Sequence, residues 1–158
     1  MLEEYKGKII IIVNITTQSP ESRSKIEKLQ NLFEEYENYM TILAFPSKDI
    51  TPFFELETNE EISKELKMLG VTFPVFPLTN LSGKNIHPLI DWLCHVMYIE
   101  KTEPRTSLIF FKDKKPQPID NNFEIFLIDQ FGNPIRRFDH TFEIDNLRDY
   151  IHNLILEN

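Results

Sequence analysis

The stretch KIIIIVNI, Lys8 to Ile15, limits the possible folds more than any other part of the chain. Ile9 to Val13 are all β-branched and apolar, so a strand built from them has no face to offer water. Such a strand must be covered on both sides, which places it in the middle of a sheet with other elements above and below. The run is also far shorter than the roughly 20 apolar residues needed to cross a bilayer.

The period then changes. Ile26, Leu29, Phe33 and Tyr36 recur at helical spacing through KIEKLQNLFEEYENY, with charged residues between them. Ser19, Pro20 and Glu21 read as the start of that helix: a capping hydroxyl, a proline at the first helical position and an acid near the positive end of the dipole. Tyr39 to Phe45 reads as a second strand, so the opening is β-α-β with two parallel strands. Thr58 to Gly70 is the next helix, with Thr58 and Glu61 spaced as a capping box and Ile62, Leu66 and Leu69 on one face. Val71 to Phe76 is a short extended segment. His87 to Ile99 gives a third helix, with Leu89, Trp92, Leu93, Val96 and Met97 predicted on its buried stripe. Glu124 to Asp129 and Pro134 to Asp139, separated by QFGN, predict an antiparallel hairpin. Asp145 is expected to cap a final helix lined by Leu147, Ile151 and Leu154. This order predicts an α/β thioredoxin-like fold, a mixed β-sheet with helices on both faces. At 158 residues the chain is expected to form a single domain spanning 1–158.

Charge and cysteine usage narrow the function. The net charge is -8, and Lys and Arg are interspersed with Asp and Glu, so no basic stripe exists to neutralise phosphates and nucleic acid is not an expected partner. Cys94 is the single cysteine, which rules out an internal disulfide, a Cys-x-x-Cys redox pair and a cysteine-based zinc site. His87, His95, His140 and His152 are scattered without metal-ligand spacing. No metal or cofactor is expected. The acidic start, Met1-Leu2-Glu3-Glu4, lacks the positive charge of a secretory or transit signal. The expectation is an intracellular chain without a membrane span, cytoplasmic by default, with an organelle such as the mitochondrion left open.

Several stretches match more than a fold. YKGKIIIIVNIT, Phe45-Pro46, TNEEI followed by GVTFPVF, GKNIHPL and NFEIFLIDQFGNPIRRF resemble the landmarks of the glutathione peroxidase family, in the same order and at similar spacing. The resemblance runs from Tyr5 to the last helix, with a divergent insert at about 98–120. It implies an active site in which a cysteine or selenocysteine attacks the peroxide beside a glutamine, a tryptophan and an asparagine. The landmarks place those positions at Ser19, Phe53, Asn121 and Asn122, and only Asn122 keeps the family residue. The family's second cysteine falls on Ser47, and the resolving-cysteine position of thioredoxin-dependent members falls near Leu66.

These departures are chemical rather than cosmetic. A peroxidatic thiolate gives two electrons to the peroxide oxygen and becomes a sulfenic acid that a second thiol reduces. A serine oxygen has no comparable reversible oxidation and is not appreciably ionised. An acyl-transfer role for Ser19 lacks both a Gly-x-Ser-x-Gly elbow and a histidine placed beside it. Losses at Ser19, Phe53 and Asn121, together with TPFFELE where the family has a glycine-rich loop, point to a degenerate member without peroxidase activity. The rival is a thiol peroxidase, dependent on glutathione or thioredoxin, in which Ser19 replaces a native cysteine or selenocysteine or Cys94 does the chemistry.

What remains could serve contact rather than catalysis. Cys94 falls about 130° from the centre of the predicted stripe, so it is expected to be partly exposed, on the solvent side or at an interface. Phe53 and Phe54 lie in a loop beside the former site, and Leu108, Ile109, Phe110 and Phe111 lie inside the divergent insert. Local packing and a docking patch both account for such aromatics. Family members with a long loop in this region tend to be oligomers, so the resemblance makes self-association a rival to a foreign partner. The reading is a structural or interaction subunit of a larger protein assembly.

Overall fold

The computed structural model describes residues 2–52, 55–99 and 115–157. The run that opened the sequence argument forms β1, Ile9–Ile15, and all seven of its residues are buried. It pairs in parallel with β2, Met40–Pro46, with Ile9 opposite Met40 and Ile15 opposite Pro46. On its other side it pairs antiparallel with β3, Ile125–Ile128, with Ile12 opposite Phe126. β4, Pro134–Phe138, continues the sheet antiparallel to β3, giving the order β2-β1-β3-β4. β1 is therefore central, as its composition requires, and the sheet is mixed.

Alternate residues of β1 feed two cores. Ile9, Ile11, Val13 and Ile15 face one layer, filled by Ile26, Leu29 and Leu32 of α1 (Pro20–Tyr36), Ile62 and Leu66 of α2 (Asn59–Met68), and Leu147 and Ile151 of α4 (Leu147–Leu156). Ile10 and Ile12 face the other layer, covered by Ile90, Leu93 and Cys94 of α3 (Pro88–Val96) and by Met97 at its C-terminal cap. Each fully buried isoleucine of this strand contributes about 1.5–3 kcal/mol relative to exposure. A strand loaded on both faces thus anchors both layers at once.

Local signals set most boundaries. Thr58 caps α2 by accepting the Glu61 amide at 3.1 Å. At the other end Gly70 sits at φ +81, while the amides of Val71 and Gly70 donate to the carbonyls of Leu66 and Lys67 at 3.0 Å each. This is the paired closure that a left-handed residue allows at a helix C-terminus. The extended segment after it bridges β2 through Val75 and Ala44. The β3–β4 turn carries Gly132 at φ +86, and the Asp129 carboxylate accepts the amides of Phe131 and Asn133.

Two expectations need correction. The buried face of α3 is Ile90, Leu93 and Cys94, continued by Met97 at its cap, whereas Trp92 and Val96 are 43% and 40% exposed. The predicted stripe was therefore turned by about one residue, roughly 100°: large side chains drew the prediction, but the layer above Ile10 and Ile12 takes the narrower Ile90 and Cys94. Asp145 does not cap the last helix. It lies inside a short 3-10 turn, Ile144–Asn146, that runs directly into α4, and its carboxylate faces Lys28 at 3.9 Å instead. The turn's own backbone leads the chain into the helix, leaving the side chain free for that contact.

Candidate functional site

Three segments meet where β1 gives way to α1. The first is Thr16 to Ser19, the second the described residues after β2, 47–52 and 55–56, and the third the turn from Asp120 to Glu124 before β3. Asn14, buried near the end of β1, ties in the third. Its side-chain amide donates to the Asn121 carbonyl at 2.9 Å, its side-chain oxygen accepts the Glu124 amide at 3.0 Å, and its backbone carbonyl accepts the Phe123 amide at 2.8 Å. These bonds hold Phe123 at φ +62, a left-handed conformation costly for a residue with a side chain. The Phe123 ring is buried and lies under the Lys25 ammonium, 5.3 Å from its centroid.

Ser19 is the N-cap of α1. Its Oγ accepts the Ser22 amide at 3.0 Å and donates to the Ser22 hydroxyl at 2.9 Å, which in turn lies 2.9 Å from the buried Thr16 hydroxyl. One lone pair and its proton are thus engaged in closing the first helical turn. Pro20 follows at the first helical position and Glu21 sits in the first turn, as the sequence predicts. No base touches the hydroxyl among the described residues.

Asn122 and the second segment are brought together: the Asn122 side-chain amide donates to the Thr51 hydroxyl at 3.1 Å, while its Oδ1 is buried without a partner. Asn121 points elsewhere, donating to the Asp120 carboxylate at 3.2 Å. Ser47 is fully buried, with its hydroxyl accepting the Asp49 amide at 3.1 Å. Leu66 is part of the α2 core. Phe53 and Phe54 lie outside the described residues, as do Leu108, Ile109, Phe110 and Phe111.

The sequence reading missed Glu55. This carboxylate is only 7% exposed, and its Oε1 accepts the Thr17 hydroxyl at 2.6 Å and the Leu56 amide at 2.7 Å. Thr17 is fully buried and also receives the Gln18 side-chain amide at 2.9 Å. Glu55 Oε2 is buried without a partner. Nothing local in TPFFELE marks one glutamate as buried, because its partner Thr17 is 38 residues away.

Cys94 is not partly exposed, as the predicted stripe implied; it is 2% exposed and sits in the layer opposite α1. Burial pushes its thiol up, partly offset by the positive charge of Arg137. Arg137 lies fully inside the same region, paired with Glu124 at 3.0 Å and donating to the carbonyls of Met97, Gln117 and Pro118. Burial pushes the Glu124 carboxyl up to about 7, against the pull of Arg137 and with help from Asp120. His87 caps α3 through its ring nitrogen and His95 folds back on the Asp91 carbonyl, while His140 and His152 are exposed. Among the described residues, no group of three or more His, Cys, Asp or Glu side chains could hold a metal ion. No helix among them is long and apolar enough to cross a membrane.

Comparison with known proteins follows the same geography. A family model described as glutathione peroxidase matches residues 1–94, which include the whole Ser19 loop and the Ser47 to Leu56 segment. The glutathione peroxidase homolog BsaA of Halalkalibacterium halodurans is 31% identical over 155 residues, covering 98% of this chain and 89% of that protein. The glutathione peroxidase of Lactococcus lactis is 31% identical over 156 residues, with the same coverage of both chains. Of solved structures, Trgpx in its apo form matches with a TM-score of 0.68 at 25% identity, over 98% of this chain and 85% of that one. The crystal structure of T. cruzi GPX1 matches with a TM-score of 0.65 at 22% identity, over 97% of this chain and 85% of that one.

Proposed function

This chain belongs to the glutathione peroxidase family, and we propose that it is a degenerate member without peroxidase activity, retained as a structural or interaction subunit of a larger protein assembly. The observation that carries the proposal is the employment of Ser19. At the position the family gives to its nucleophile, a hydroxyl caps a helix, with its acceptor and donor capacity directed at Ser22. Peroxide reduction needs an atom that can accept oxygen and be reduced again, and serine oxygen cannot. The one thiol, Cys94, is buried in the opposite layer with its ionisation disfavoured.

The contact surface proposed for such a subunit comprises Phe53, Phe54 and Leu108 to Phe111, with self-association as one form of assembly. Copurification of the full chain with tagged bait, followed by mass spectrometry, identifies what it joins.

A second reading, thiol peroxidase, is favoured by the names of the relatives, which are glutathione peroxidases or their homologs. Hydroperoxide reduction with glutathione or thioredoxin as donor separates the two. The degenerate reading expects no turnover above a Cys94→Ala control; turnover clearly above that control overturns it. Ser19→Cys should restore activity only if nothing but the nucleophile was lost.

A further inference from the structure

We propose that Glu124 and Asp120 hold one proton between them, and that this proton latches the turn leading into β3. With it the turn is tied to the buried Arg137; without it Asp120 withdraws into water and the turn loosens. The device is separate from the reading of position 19, because it works on the Asp120 to Glu124 segment alone.

Charge balance carries the argument. Among the described residues, the titratable and charged groups that face Glu124 are Arg137 from β4, Asp120 from its own turn and Cys94 from α3. Arg137 brings one positive charge, and Glu124 Oε2 meets it at 3.0 Å with both side chains closed off from solvent. The Asp120 carboxyl lies within hydrogen-bond reach of the Glu124 carboxyl, so two acids crowd one guanidinium. With both ionised, the cluster carries an unmatched negative charge against a buried group. Cys94 cannot relieve that excess, since its thiol is buried and its ionisation, already disfavoured, only adds negative charge.

The hydrogen bonds assign the proton to Glu124. Its Oε2 takes Arg137, while Oε1 is buried without a partner. Asp120 is exposed and accepts the Asn121 side-chain amide at 3.2 Å. A proton on Glu124 Oε1 turns that atom into a donor and makes Asp120 its acceptor. Two acids this close give up their protons as a pair, the second at a higher pH than the first. In keeping with this, burial pushes the Glu124 carboxyl up to about 7, against the pull of Arg137 and with help from Asp120.

The same turn carries Asn121 and Asn122, and the Phe123 and Glu124 amides fasten it to Asn14 of β1 at 2.8 and 3.0 Å. Loss of the proton sets two negative charges against each other at one end of that turn. Asp120, the exposed partner, is the one with water to move into. The third segment of the candidate site thereby becomes the part that answers to pH near neutrality.

The test follows hydrogen exchange at the Phe123 and Glu124 amides of the full-length chain, corrected for the intrinsic pH dependence of exchange. In the parent, protection is expected to fall about tenfold between about pH 6 and pH 8, as the proton is lost. Glu124→Gln, which keeps a neutral group of the same shape, is expected to hold protection constant across that window. Asp120→Asn alters an exposed side chain and leaves the core in place. Without the like charge the transition should move down by about one pH unit, leaving a change of only about twofold over the same window. Protection in the parent that ignores pH overturns the latch. A transition that Asp120→Asn leaves in place overturns the sharing of the proton, since burial alone then accounts for it. If Glu124→Gln does not fold, the parent and Asp120→Asn decide together.

Discussion

Arg137 and Glu124 meet at 3.0 Å with neither side chain reaching solvent, and the same guanidinium donates to three carbonyls on two separate segments. It also lies over the Phe126 ring, 4.9 Å from its centroid. Arg137→Met should be strongly destabilising because it strands a buried carboxylate and leaves those carbonyls without this donor. About 3–5 kcal/mol is expected at pH 8, read by urea denaturation. A loss below 1 kcal/mol would mean that this cluster is not what secures the edge of the sheet.

The pair also sets a pH dependence. Glu124 titrates near 7 when folded against an ordinary value of 4.5, so the folded chain binds the proton more tightly than the unfolded one. Its contribution to stability is complete below about pH 4.5 and is lost as pH rises through 7. Compared with Glu124→Gln, the parent should lose ground steadily across that window in urea melts at successive pH values. A constant difference between the two chains would contradict this.

Ser19→Ala removes the acceptor for the Ser22 amide and breaks the link through Ser22 to Thr16. A loss of about 1 kcal/mol is expected from the cap alone, measurable as a lower urea midpoint. Ser19→Asp, which can still accept that amide and suits the helix dipole, should recover much of it.

Gly70→Ala isolates a backbone effect. An added Cβ meets nothing within 4 Å, yet φ is +81. The expected cost is about 1 kcal/mol, with Gly70→Asn costing less because asparagine tolerates the left-handed region. Equal stability of the alanine variant would show that the α2 terminus relaxes.

Cys94 should resist a thiol reagent such as dithionitrobenzoate in the folded chain and react readily in urea, since burial both blocks access and disfavours the thiolate. Rapid labelling without denaturant would place the thiol at the surface after all.

How far the sequence could be read depended on whether a signal was local. β1 declared itself because five β-branched residues in a row admit one environment, and Thr58, Gly70 and Ser19 declared themselves because capping is decided within four residues. The rotation of α3 did not, because Trp92 and Ile90 are both apolar and only the layer beneath chooses between them. Asp145 looked like a cap until a 3-10 turn took over the helix entry. Glu55 was invisible for a stronger reason: its partner Thr17 lies 38 residues earlier in the chain, a contact that no periodicity encodes. The helix cap at Ser19 was legible from its neighbours, but the contact between Thr17 and Glu55 beside it was not.

The bonds around Arg137 have a consequence for how the chain tolerates change. Tyr98 donates its hydroxyl proton to the Lys115 carbonyl at 3.0 Å, and the Ile99 amide donates to the Gln117 side chain at 2.8 Å. The chain up to Ile99 and the chain from Lys115 onward are thereby held to each other and, through Arg137 against Met97, Gln117 and Pro118, to β4. One guanidinium is the clasp for both, so a change at Arg137 is felt at two places in the sequence, 40 and 20 residues before it.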